Sequence, residues 1–170
     1  MKRYFVALSA ILLMAQIALA EVKEQHASFP YYEYVVTSEG APSELKNKVL
    51  NWSKSKYDRT ELIVKSEGES VVIDGSTWIS KGEMGVCPVT FHFSMKFEFR
   101  EGRFKCVTEV TKVMVTDGML PREVNQMKQY SAKPTNSSRR DKDIEKFHQK
   151  LVLWMGDASE ASSEQPESDW

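Results

Sequence analysis

An α+β fold is what this sequence predicts: a five-stranded, curved antiparallel sheet with two helices packed on one face. Three observations predict it. From Val89 to Arg100, apolar Val89, Phe91, Phe93, Met95, Phe97 and Phe99 alternate with His92, Ser94, Lys96, Glu98 and Arg100. That period of two belongs to a strand with one buried and one wet face. Glu67-Gly68 and Glu101-Gly102 each separate two strand-like runs, at the spacing of tight hairpins. Apolar residues at helical spacing stand on either side of these strands, in Leu45-Val49-Trp52 and in Ile144-Phe147-Leu151. The resulting order is β-α-β-β-β-β-α.

The first element is a leader. Lys2 and Arg3 precede an apolar run from Tyr4 to Ala15, and Ala18-Leu19-Ala20 supplies the small-x-small pattern that signal peptidase reads. Residues 1–20 are therefore expected to be a cleavable signal peptide, with cleavage before Glu21. The leader takes two of the 23 basic residues and none of the 24 acidic ones, leaving the rest at a net −3. That balance gives no basic footprint for nucleic acid or anionic lipid. No later segment is apolar enough to span a membrane. The expected location is outside the cytoplasm, periplasmic or secreted.

Residues 21–30 are polar and expected to be flexible; residues 31–156 are expected to form one domain. Tyr31 to Thr37, aromatic and β-branched, reads as its first strand. Pro42 or Ser43 then opens a helix to about Tyr57, with Trp52 as a core anchor. Strands Glu61–Ser66 and Glu69–Ile79 follow, with Val64 expected opposite Val71 and Leu62 opposite Ile73. Gly82-Glu83-Met84-Gly85 spells the GxxG that clamps a phosphate backbone in some RNA-binding domains. Strands rather than helices flank it here, so it reads as a turn.

Beyond Glu101-Gly102 a strand runs from Arg103 to about Thr116. A two-residue turn sets Phe99 opposite Phe104, Phe97 opposite Cys106, Met95 opposite Thr108 and Phe93 opposite Val110, with Glu98 meeting Lys105 on the outer face. Lys112 would then face Phe91, a mismatch that predicts fraying or a bulge. Arg100 opposite Arg103 sits awkwardly at the turn mouth. A short helical turn is expected after Pro121. Ser137 or Ser138 caps a last helix that carries Ile144, Phe147, His148 and Leu151 on one stripe and stops at Gly156. Residues 157–170 read as a disordered acidic tail.

Two cysteines, Cys87 and Cys106, favour a disulfide in an oxidising compartment. The register opposes it. With Cys106 beside Phe97, Cys87 lies ten positions further along the strand, roughly 34 Å away at extended rise, whereas a disulfide needs Cα atoms within about 7 Å. His26, His92 and His148 are too scattered to suggest a metal pair. No metal and no cofactor is expected.

The helix ending in Asn51-Trp52, the run Val71-Val72-Ile73-Asp74-Gly75 and the hairpin from Phe97 to Lys105 resemble an exported Bacteroidetes-type family, domain of unknown function 4468. The similar stretch covers roughly Tyr31 to Val115. The resemblance implies a TATA-box-binding-protein-like fold and brings no activity and no catalytic residues. DNA binding does not follow from such a fold. The expected open face, with His92, Ser94, Lys96, Glu98, Arg100, Lys105 and Glu109 alongside Val107 and Thr111, lacks the basic excess and apolar wedges of minor-groove binders.

These readings favour a non-enzymatic binding or assembly module of the cell envelope, whose partner is an envelope protein or a small ligand meeting that face. An alternative is carriage of a small apolar ligand between sheet and helices. A hydrolase is the least favoured. His92, Ser94 and Glu109 are the best set available for it, and no oxyanion turn accompanies them.

Overall fold

The computed structural model describes residues 21–55, 60–80, 89–117, 120–123 and 137–164. The expected leader, Cys87, the GxxG segment and residues 165–170 lie outside them. The elements are β1 (Val22–Ser28), β2 (Tyr31–Thr37), α1 (Pro42–Ser55), β3 (Thr60–Glu67), β4 (Ser70–Ser80), β5 (Val89–Arg100), β6 (Arg103–Asp117), β7 (Leu120–Glu123) and α2 (Ser137–Glu160). One antiparallel sheet runs in the order β1-β2-β6-β5-β4-β3. β7 pairs with the end of β6, on the edge whose first half β2 occupies.

Six strands thus form the main path where five are expected. The added one is β1, within the segment read as flexible. Its sequence Val-Lys-Glu-Gln-His-Ala-Ser buries little, so backbone pairing to β2 holds it rather than an apolar face. At the other end of the domain, Leu120–Glu123 is a short strand that includes Pro121, and the helical turn expected beyond it, at Val124, Met127 and Tyr130, lies outside the described residues. An edge strand tolerates proline, which has no N–H to donate.

The alternating run of β5 behaves as its sequence dictates. Phe91, Phe93, Met95 and Phe97 are buried, and Lys96, Glu98 and Arg100 are exposed. Phe99–Phe104, Phe97–Cys106, Met95–Thr108 and Phe93–Val110 pair as expected. The mismatch at Lys112 is resolved by a bulge. The register shifts after His92–Lys112, leaving Thr111 as the extra residue, so that Val113 rather than Lys112 faces Phe91.

In the β3–β4 hairpin the turn is Gly68-Glu69 rather than Glu67-Gly68, and Val64 faces Ile73 while Leu62 faces Gly75. Gly68 supplies φ +58 at the first central position, where tight hairpin turns require it. The slip is by two residues. It therefore leaves every side chain on its expected face.

Both helices cover one face of the sheet. From α1, Leu45, Val49 and Trp52 are buried, and from α2, Phe147, Leu151, Met155 and Ala158. Trp52 lies 6.2 Å from Phe97 and 6.1 Å from Trp154, ring centre to ring centre, joining sheet and both helices. α2 passes through Gly156 and ends at Glu160, correcting the expected stop. The reason is packing: Ala158 and Ser159 are buried, and Ser38 Oγ donates to the Ser159 carbonyl at 3.1 Å. Past the helix, Asn51 Nδ2 donates to the carbonyls of Ser162 (2.9 Å) and Glu164 (2.8 Å), and Asn47 Nδ2 to that of Ser163. The start of the acidic tail is therefore laid along α1.

Candidate functional site

The face that the helices leave open is built from the outward residues of β2 to β6. All seven residues expected there are on the strands expected, and alternation puts them on that face: His92, Ser94, Lys96, Glu98 and Arg100 on β5, Lys105 and Glu109 on β6. The sequence reading missed their neighbours. Tyr31 and Glu33 come from β2, Lys65 from β3 and Asp74 from β4, and Arg103 of β6, expected opposite Arg100, stands beside them. The signal was available in the same period of two, since Tyr32, Tyr34, Val71 and Ile73 are inward and place Glu33 and Asp74 outward.

The charges on this face pair across strands. Asp74 accepts from Ser94 Oγ at 2.7 Å and from Lys65 Nζ at 3.1 Å. These two bonds, the serine's first, hold its carboxyl below the usual range. Lys105 reaches Glu33 at 2.9 Å and Lys96 reaches Glu98 at 2.9 Å. Glu98 is directly opposite Lys105 in the register, yet each charged head has settled on another neighbour. The Lys96 ammonium lowers the Glu98 pKa. Glu109 accepts from the Tyr31 hydroxyl at 3.0 Å, which pushes the tyrosine pKa up.

This network bears on the hydrolase set. Ser94 Oγ donates its hydrogen bond to Asp74, a carboxylate with a lowered pKa, and Glu109 accepts from Tyr31. A nucleophilic serine needs a base that takes its proton near neutral pH. A carboxylate held below its usual range is a poor one.

Two depressions mark the face. One of about 250 Å³ lies where β5 and β6 meet their turn, among Gln25, Glu33, Glu98, Arg100, Arg103 and Lys105. Another of about 280 Å³ lies beside the β6 bulge, among Ile63, Asp74, Ser76, His92 and Thr111. Exposed apolar side chains accompany them. Tyr31 is 50 % exposed, Trp78 53 % and Ile63 63 %. Among the described residues no cluster of His, Cys, Asp or Glu could hold a metal ion, and no helix is long and apolar enough to cross a membrane.

The covered face has its own polar group. Cys106 is a buried free thiol, 3.6 Å from Thr108 Oγ1, and lies opposite Tyr34 in the register. Tyr32 and Tyr34 are buried, their hydroxyls without a hydrogen-bond partner among the described residues, and both stack against His148, whose Nε2 is 2.7 Å from Glu24 of β1. Burial pushes the Cys106 thiol up to about 12 and raises both tyrosines above 10.0. Each group keeps its proton in the fold at a pH where the unfolded chain has released it. The folded state then binds more protons, so stability falls with rising pH. Alkaline destabilisation should start near the ordinary thiol value of 9.0 and continue above 10.0. Urea titrations from pH 7 upward check this, and Tyr34→Phe should flatten the branch above 10.0; an unchanged slope would refute it.

No family model matches the chain, and no curated protein matches it. Solved structures do. A TBP-like protein from Parabacteroides distasonis ATCC 8503 superposes with a TM-score of 0.50, covering 78% of this chain and 93% of that one. The fold is TBP-like. Sequence identity to that protein is 11%, so the likeness is one of architecture. A DUF4468 family protein from Bacteroides ovatus ATCC 8483 superposes with a TM-score of 0.49 at 12% identity, over 80% of this chain and 89% of that one.

Proposed function

We propose that this TBP-like protein is an exported, non-enzymatic binding module of the cell envelope, meeting a protein partner through the open face of its sheet. One observation carries the reading. Both described helices lie on the same side, and the broad face that the described residues leave uncovered presents Tyr31, Ile63 and Trp78 among ion-paired charges. Tyrosine, tryptophan and arginine are the side chains in which interface energy concentrates. The leader from Lys2 to Ala20 supports export. Ser94 committed to Asp74 supports binding over hydrolysis.

Carriage of an apolar ligand between sheet and helices is the weaker reading. Phe147 fills that layer against Phe91 (5.2 Å) and Phe93 (5.9 Å), and Trp154 packs on Phe93 at 5.4 Å. The test is site-specific photocrosslinking in cells, from Thr111 on the open face and from Leu153 on the outer side of α2. Adducts at one defined mass from Thr111 and none from Leu153 are expected. Equal labelling from both positions, or none from Thr111, would sink the proposal.

A further inference from the structure

We propose that Arg100 and Arg103, side by side at the mouth of the β5–β6 hairpin, form a binding site for an oxyanion: a phosphate monoester or a carboxylate. This deepens the open-face reading and rests on it.

The first argument is charge. Around the 250 Å³ depression stand Arg100, Arg103 and Lys105, with Lys96 alongside, against Glu33 and Glu98. The carboxylates are already taken, Glu33 by Lys105 and Glu98 by Lys96. Arg100 and Arg103 form no ion pair among the described residues; Arg100 acts on Glu98 only through its field. Two guanidiniums are thus left over at a hairpin mouth whose one further carboxylate is the exposed Glu101 of the turn, in a chain whose formal net charge is −1.

The second argument is geometry. Arg100 and Arg103 are directly paired in the antiparallel register, both pointing outward. Like charges set opposite one another destabilise a strand pair. An anion shared between them removes that repulsion, and a guanidinium's flat fork matches the two oxygens of a carboxylate or phosphate.

The third argument is rigidity. The turn between the arginines is anchored through Gly102, whose N–H donates to the Gly40 carbonyl at 3.1 Å. Its own carbonyl accepts from the Ser38 N–H at 3.1 Å. With φ +69, Gly102 adopts a conformation other residues resist. The backbone carrying both arginines is therefore held before any ligand arrives, which lowers the ordering cost of binding.

The experiment titrates the protein with inorganic phosphate and, separately, with succinate at matched ionic strength, following binding by calorimetry and the melting temperature. Sodium chloride serves as the reference. Saturable binding that raises the melting temperature is expected for one of the two, and identifies the oxyanion class. Arg100→Gln and Arg103→Gln should each weaken it at least about tenfold, the usual worth of a charge-assisted hydrogen bond. Both variants should melt at or above the unsubstituted protein in anion-free buffer, because the repulsion is gone; this separates lost binding from lost folding. Arg100→Lys should bind with intermediate strength. Responses no different from sodium chloride, or full binding by the Arg100→Gln, Arg103→Gln double variant, would overturn the site. A flat titration with Thr111 crosslinks intact rejects the oxyanion site alone. Saturable binding without those crosslinks rejects the protein-partner reading alone.

Discussion

Phe147→Ala is expected to cost about 3–5 kcal/mol of folding stability, the range for emptying a buried phenylalanine site. The residue is fully buried and is the point at which α2 meets two strands at once. Its ring lies 5.8 Å from Tyr32 of β2, 5.2 Å from Phe91 and 5.9 Å from Phe93 of β5. Removing it opens a void beneath the sheet that these rings cannot jointly fill, since Tyr32 and Phe91 are pinned by their own strand pairings. The comparison is Leu153→Ala, on the same helix and 65 % exposed, which should change stability by less than about 0.5 kcal/mol. Urea unfolding checks both, through a lowered midpoint at unchanged slope for Phe147→Ala. Similar costs at the two positions would mean that α2 does not pack on the sheet through this stripe.

A second large effect is expected from shortening the chain. Truncation after Gly156 removes Ala158 and Ser159 from the core. It also removes the acceptor of Ser38 Oγ and the carbonyls that Asn47 and Asn51 hold. At about 0.5–1.5 kcal/mol for each hydrogen bond, with the lost burial in addition, the loss should reach about 3 kcal/mol. Truncation after Glu164 keeps all of these contacts and should be close to neutral. Thermal melts of the two truncated chains decide it. An unperturbed protein ending at Gly156 would show that the last turn of α2 contributes nothing.

The second prediction would not have been made from sequence. Gly156 looks like a helix stop, and the Ser- and Glu-rich stretch after it lacks the apolar density of a folded segment. What extends the helix is small side chains, Ala158 and Ser159, fitting against the loop at Ser38. Tertiary fit of that kind leaves no periodic trace. β1 was invisible for a related reason, since its contribution is backbone pairing and the Glu24–His148 contact, neither of which shows as hydrophobic pattern.

By contrast β2 and β5 were legible residue for residue, and so was the β5–β6 register from Phe93 to the turn. A strict alternation can be buried in one way only. Lys112 even foretold its own bulge. Half of the candidate site was legible too. Strands that announce themselves by alternation supplied its seven expected residues, whereas Glu33 and Asp74 join it through neighbours set by sheet order. The pairing of β2 with β6 is a tertiary outcome that no local pattern in Tyr31–Thr37 reveals.

That pairing also orders events in time. β2 is made early, yet one edge of it is completed by β6, with Tyr31 matched to Glu109 and Thr37 to Arg103. Closing so long a segment is slow compared with zipping a hairpin whose strands are adjacent. As the chain is synthesised, the edge of β2 that β6 completes has no strand beside it until residue 109 has emerged. The β5–β6 hairpin, closed by a two-residue turn, is the local pairing, and joining β2 to it is the long-range one. The sheet therefore stays incomplete until more than half of the chain has been made.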